Sequence, residues 1–271
     1  MAAGVHLERG RFFGRVSRVR ELSGIHLAEL THSEARKLPL HSHELAFFCM
    51  LLDGGYEEYY GGRRVAYDPF TVVFHPPGFT HSDEIVSQGA SFFTVQLGEA
   101  YLRRLREYAP VPREPVSDRH GGELSWLASR LYLAWRSADP CAALSMEGLT
   151  LEMLAGAARQ NRAEKQSPAW LAGVVEILHA RFHDNLQLTQ LAAEAGVDPL
   201  RLSRVFRQFQ GQTIAGYLHR IRVQSVCLQL KKRDDSLAEI ALAAGFADQS
   251  HMTRVFKRVT GTTPAQFRAA L

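Results

Sequence analysis

The sequence predicts a multidomain α+β protein: an antiparallel β-barrel with helices at its C-terminal end, then an all-α domain. Two observations carry that expectation. From about Gly24 to Leu97 the chain runs in short β-prone stretches, LAFFCMLL, YEEYYGG, FTVVFHPPG and SFFTVQL, broken by Gly, Pro and Asp, a pattern that fits a small antiparallel barrel or sandwich. Beyond residue 169 apolar residues recur at spacings of three and four, the period of helices that bury one face. The expected divisions are a β-domain at 1–115, a helical connector at 116–160, a linker at 161–168 (NRAEKQSP from Asn161) and the all-α domain at 169–271.

A chain of 271 residues has room for two domains of ordinary size. Its hydrophobic share of 46% and charged share of 22% sit near globular averages. The longest apolar runs fall far short of the ~20 residues of a membrane helix. MAAGVHLERGRFFGRV at the N-terminus lacks a basic start followed by an apolar core, so no secretory signal is expected and the cytoplasm is the expected location. Cys49, Cys141 and Cys227 stand singly in apolar sequence. Their number and scatter argue against a disulfide framework or a Cys-based zinc motif, and they read as buried thiols.

The net charge of +4 is unevenly held. Residues 169–271 carry 13 Lys plus Arg against 8 Asp plus Glu, whereas residues 1–168 carry 19 against 20. The basic excess is therefore entirely C-terminal, which points to a polyanionic partner for that half.

The basic half also repeats itself. LAAEAGVDPLRLSRVFRQFQGQTIAGY from Leu191 aligns with IALAAGFADQSHMTRVFKRVTGTTPAQF from Ile240, pairing Gly196 with Gly245 and Arg204-Val205-Phe206 with Arg254-Val255-Phe256. Each copy reads as helix, tight turn, helix. In the second, Ser236 and Glu239 form a capping box, Gly245 supplies a positive φ, and Asp248 caps the next helix. In the first, Gly196 ends the short helix and Pro199 opens the next at its first position, where a missing N–H costs nothing. Ala192, Ala193, Ala195, Ala241, Ala243 and Ala244 are small enough for the paired helices to approach closely. YLHRIRVQSVCLQL between the copies predicts one continuous helix holding both units at a fixed separation.

In the second helix of each copy, Leu202, Val205, Phe206 and Phe209, then Met252, Val255, Phe256 and Val259, are expected to point inward. The outward set is Leu200, Arg201, Ser203, Arg204 and Gln208, then Gln249, Ser250, His251, Thr253, Arg254 and Lys257. Such side chains bond base edges and phosphates. Arg204 and Arg254 are candidate guanine readers, while Arg207, Lys257 and Arg258 are candidate phosphate contacts. Two units in successive major grooves of double-stranded DNA would read an asymmetric site. An α-helical bundle that binds a protein is the bland alternative. From Trp170 to Arg268 the chain resembles the DNA-binding domain of the AraC family of bacterial transcriptional regulators, on AEIALAAGFADQSHMTRVFKRVTGTTPAQFR and on the linker-helix pattern YLHRIRVQSVCLQL. The resemblance implies control of transcription, more often activation, through contact with RNA polymerase.

His41-Ser42-His43 and Pro76-Pro77-Gly78-Phe79-Thr80-His81 carry whatever chemistry the β-domain holds. Residues at i and i+2 of a strand share a face, so His41 and His43 can meet His81, and three imidazoles suit Zn or Fe. His75 is a possible fourth member. These stretches resemble the two cupin motifs, with a departure: the motif's glutamate position falls on Phe48, and Glu44 and Glu58 lack its spacing. Three readings stand side by side: structural hydrogen bonding, a small-molecule effector pocket walled by Phe47, Tyr56 and Tyr67, and a metal site. A cupin metalloenzyme such as a dioxygenase or isomerase, fused to a DNA-binding module, is the alternative class; a regulator is complete without catalysis. Leu124, Leu127, Leu131 and Trp135 form an apolar stripe that either packs on the barrel or serves as a homodimer interface.

Overall fold

The computed structural model describes residues 4–118, 122–231 and 235–270. They divide into two compact units, one of residues 4–118 and 123–161, the other of residues 162–270.

The first unit is a mixed structure dominated by one large sheet. Its strands are β1 (Val5–Leu7), β2 (Arg15–Leu22), β3 (Ile25–His32), β4 (Arg36–Lys37), β5 (His41–His43), β6 (Ala46–Tyr60), β7 (Arg63–Tyr67), β8 (Val72–His75), β9 (Thr80–Leu97) and, after helix α1 (Glu99–Arg106), β10 (Val116–Asp118). β9 lies between β6 on one side and β3, β4 and β5 on the other, while β6 also pairs β7 and β8. The path runs from β1 to β10 with no pairing that joins its ends among the described residues, so the sheet is not closed as a barrel was expected to be.

β6 and β9 are the scaffold of the unit, and both were longer than their sequence suggested. LAFFCMLL and YEEYY were read as separate strands parted by Asp53-Gly54-Gly55, yet β6 passes straight through them. The register shifts there instead. Gly54 has φ +91 and sits opposite the Gly89 carbonyl of β9, which a Cβ would approach to 2.3 Å. Glycine therefore serves here to bend a strand. Gly61 and Gly62, with φ +54 and +76, do make the expected hairpin turn between β6 and β7. β2, an edge strand that sequence reading missed, is exposed over nearly all its length and carries Arg15, Arg18, Arg20 and Glu21, the charges that protect an edge.

Helices α2 (Glu123–Arg136) and α3 (Ala142–Gln166) follow. α3 runs on through residues 161–166, where a linker was expected. Leu124, Leu127, Leu131 and Trp135 are all buried, and Trp135 stacks on Phe93 of β9 at 5.1 Å, so the apolar stripe is covered by the chain's own sheet. Cys227 is buried, but Cys141 is exposed and Cys49 half-buried, which corrects the expectation of three buried thiols.

The second unit is all helical: α4 (Ala169–Ala180), α5 (Leu188–Glu194), α6 (Pro199–Gln210), α7 (Ile214–Lys231), α8 (Leu237–Ala243), α9 (Gln249–Thr260) and α10 (Pro264–Ala270). Leu171, Val174 and Leu178 of α4 share a core with Leu191, Leu202, Phe206 and Ile221. Ile240, Met252 and Phe256 are the equivalent buried residues of the second copy. Ala192, Ala241 and Ala244 are buried at the helix contacts, whereas Ala193 and Ala243 face solvent, so only part of the alanine set serves close approach. Arg222 of α7 is nearly buried; its Nε donates to the Phe182 carbonyl at 2.7 Å and its Nη2 to the Asp184 carbonyl at 2.8 Å, and its guanidinium lies 5.9 Å from the Phe246 ring centroid of the second copy. No helix of the described residues is long and apolar enough to cross a membrane.

Candidate functional site

Two sets of residues stand out, one in each unit. In the helical unit the turns are built as expected. Gly196 and Gly245 lie at φ +67 and +80. The Asp198 carboxylate accepts from the Arg201 N–H at 2.8 Å and the Asp248 carboxylate from the His251 N–H at 2.6 Å, which starts α6 and α9 sharply. The Ser236–Glu239 capping box is closed in both directions, at 3.2 and 2.9 Å.

These caps set the rotation of each helix. In α6, Leu202 and Phe206 are fully buried, Val205 and Phe209 half-buried, and Leu200, Arg201, Ser203, Arg204, Arg207 and Gln208 exposed. In α9, Met252, Val255 and Phe256 are buried, Val259 half-buried, and Gln249, Ser250, Arg254, Lys257 and Arg258 exposed, with His251 and Thr253 half-buried. His251 lies 5.9 Å, ring to ring, from His219 of α7, and Arg258 Nη2 lies 3.4 Å from His219 Nδ1. Each helix thus has an apolar face in its core and a polar, cationic face in solvent. Leu200 is the exception on that face, an apolar side chain 83% exposed.

In the sheet unit, period-2 alternation turns His41 and His43 of β5 inward with Ser42 between them. His41 pairs across the ladder with His81 of β9, and their rings lie 4.3 Å apart. The donor atoms of His41, His43 and His81 fall within 4.8 Å of one another. A cavity of about 50 Å³ opens beside them, walled by these three rings with Phe12, Phe47, Cys49, Tyr56 and Asp83 among others. It has room for a small species, since one water needs only ~10–15 Å³ by this measure. Phe47 and Tyr56 take the wall positions expected of them. His75 and Tyr67 are not part of that wall; they lie behind His81, where Glu58 accepts from the Tyr67 hydroxyl at 2.9 Å and pairs with His75 Nε2 at 2.8 Å.

Phe48, at the position where a motif glutamate was sought, packs on Phe74 in the core. Two other carboxylates enter the site. Glu58 is fully buried, 3.9 Å from His81 Nε2, although its sequence spacing gave no cause to include it. Asp83 was missed altogether. It stands opposite Glu58 in the β6–β9 ladder, its Oδ1 accepts from Tyr56 at 3.0 Å, and its oxygens lie 3.6 Å from His41 Nε2 and 3.9 Å from His81 Nε2. The signal was the same one that found His43: Asp83 is two residues beyond His81 on one strand face.

Burial governs the charges here. It pushes His43 down to about 2, helped by the neighbouring imidazoles, and His81 to about 3, so both rings are neutral. Burial and the charge of Glu58 hold Asp83 well above the usual carboxylate range. For Glu58, burial acts upward but is outweighed by His75, His81 and the Tyr67 hydrogen bond, and its pKa is lowered. Asp83 thus faces the neutral His43 and His81 rings across the small cavity, and Glu58 pairs with His75 outside its wall.

The doubled helix-turn-helix defines the class: a DNA-binding protein of the helix-turn-helix type. The profile of a helix-turn-helix domain family matches residues 191–270. PqrA of Proteus vulgaris, named as a transcription factor, is 34% identical over 86 residues, 32% of this chain and 70% of that protein. A protein of Streptomyces antibioticus named as an AraC-like transcription regulator is 26% identical over 196 residues, 67% of this chain and 65% of its own length. Among solved structures, ToxT of Vibrio cholerae with a bound unsaturated fatty acid aligns over 93% of this chain and 98% of its own, at 12% identity and a TM-score of 0.40. The chain belongs to the AraC family of transcriptional regulators.

Proposed function

We propose that the chain is a one-component transcriptional regulator whose α6 and α9 read successive major grooves of double-stranded DNA, and whose sheet unit senses an effector. The observation that carries the reading is the matched exposure of Arg204 and Arg254 at equivalent positions of two recognition helices, with the basic excess on the same half of the chain. Arg is the side chain that bonds guanine O6 and N7 together. Arg201, Ser203, Gln208, Gln249, Ser250, His251 and Thr253 supply further base contacts. Arg207, Lys257 and Arg258 hold phosphates, which position the helices and make affinity salt-dependent.

On this reading residues 1–115 form a cupin-like effector-sensing domain, residues 116–160 a connector that can dimerise, and residues 169–271 the DNA-binding domain. His41, His43, Phe47, Tyr56 and His81 line the effector pocket, and Tyr67 and His75 support it through Glu58. An occupant that binds one arrangement of the connector better than another shifts the DNA affinity, or the contact with RNA polymerase, by its differential affinity and no more. The protein acts in the cytoplasm, as an activator, and catalyses nothing.

The test is a site selected from random duplexes, then anisotropy titrations of Arg204→Ala and Arg254→Ala against that site and an unrelated duplex. Each substitution is expected to cost about 1–3 kcal/mol of discrimination, or ~5–150-fold. Unchanged discrimination in both variants overturns the reading.

A further inference from the structure

We propose that the buried cavity binds a divalent first-row metal ion through His41, His43 and His81, with Asp83 supplying the carboxylate that the sequence lacks at Phe48. The proposal rests on the effector-pocket reading above and names the chemical class of its occupant.

Three observations support it. The first is the orientation of the rings. His41 Nδ1 lies 2.8 Å from the Pro39 carbonyl; a carbonyl can only accept, so Nδ1 carries the proton and Nε2 presents a lone pair. His81 is turned the same way, with Nδ1 toward the Phe79 carbonyl at 3.4 Å. A backbone carbonyl that fixes the far nitrogen is how proteins commonly orient a metal-ligating imidazole.

The second observation is what those lone pairs face. His41 Nε2 and Asp83 Oδ2 are 3.6 Å apart, and His81 Nε2 and Asp83 Oδ1 3.9 Å. These are too long for hydrogen bonds. They suit two ligands of one ion: with bonds of ~2.1 Å, donors of a tetrahedral site stand about 3.4 Å apart. The buried His43 Nδ1 has no hydrogen-bond partner of its own, an expensive state for such a group.

The third is charge. Asp83 and Glu58 are directly opposite in the β6–β9 ladder and both buried, a placement that repels if both ionise. A dication held between Asp83 and the imidazoles offsets that repulsion. Glu58 is held instead by His75 and Tyr67, 3.9 Å from the same His81 Nε2. Nitrogen-rich donors with one carboxylate select Zn2+ or Fe2+ over Mg2+ or Ca2+.

The experiment uses the full untagged chain, stripped with a chelator and titrated with Zn2+ by calorimetry and with Co2+ by visible absorption. Wild type is expected to take one ion per chain and to show Co2+ d–d bands. Asp83→Asn and His41→Gln should each weaken binding by 10-fold or more, while Glu44→Gln, which alters a carboxylate outside the cavity, should leave it unchanged. Folding is checked by circular dichroism. If Asp83→Asn does not fold, Asp83→Glu decides: shifted Co2+ bands support the ligand, and bands identical to wild type overturn it. A folded wild type that takes up neither ion overturns the proposal, as does wild-type affinity in folded Asp83→Asn. DNA binding measured on the same samples separates the two readings: specific binding with no metal uptake defeats the metal site alone, and absence of specific binding in both stripped and loaded protein defeats the regulator.

Discussion

Gly245 is pressed against the backbone of His183, so closely that a Cβ on the glycine would fall 2.6 Å from the His183 Cα and 2.7 Å from its carbonyl oxygen. The turn of the second helix-turn-helix thus rests on the loop between α4 and α5 of the first. Gly196, the equivalent residue of the first copy, has a similar φ but open space around it. Gly196→Ala is expected to cost about 1–2 kcal/mol, the penalty of a left-handed non-glycine residue. Gly245→Ala carries that penalty and the steric clash as well, so its urea midpoint should fall clearly further. Equal losses in the two variants would contradict the contact.

Phosphate contacts and base contacts separate by their salt response. Lys257→Ala is expected to weaken binding about equally on specific and random duplexes and to lower the slope of log K against log salt by ~0.9. Arg254→Ala is expected to change the ratio between the two duplexes instead. Anisotropy titrations from 50 to 200 mM salt distinguish them.

The capping box that opens α8 satisfies two backbone donors of a helix only seven residues long. Ser236→Ala should destabilise the helical unit by about 1 kcal/mol, and Ser236→Gly by only a few tenths. Chemical denaturation read by far-UV circular dichroism checks both.

Acid should weaken the helical unit through His219. Burial, followed by the charges of Arg258, His251 and Arg222, holds its pKa below the ordinary 6.5. The unfolded chain then binds a proton that the folded chain refuses, so this contribution is complete above about pH 6.5 and declines as pH falls below it. His219→Gln should fall less steeply than wild type in denaturation midpoint between pH 7 and pH 5. Parallel curves would exclude His219 as the cause.

The helical unit was legible because its signals are local. Gly196, Asp248, Ser236 and the repeated Arg-Val-Phe each act within one or two turns of chain, so spacing alone gave both the helices and their buried faces. The sheet site was only half legible. His41 and His43 follow from strand alternation, but Glu58 meets His75 only because β6 continues through Gly54 and shifts register, and nothing in the chain near Glu58 announces that pairing. Asp83 could have been found, since it shares a face with His81. Its hydrogen bond with Tyr56 could not, being set by long-range register across the ladder.

Arg222 joins the loop at Phe182 and Asp184 to the Phe246 ring, and Gly245 leans on the same loop. On the proposed reading, two DNA-reading units locked in this way behave as a caliper of fixed gauge. A regulatory sequence recognised by both can drift in its bases and pay for each mismatch separately, but it cannot gain or lose a base pair between its two halves without turning one of them by ~35° around the duplex axis. Selection on such promoters would preserve the distance between the halves more strictly than the letters that fill it.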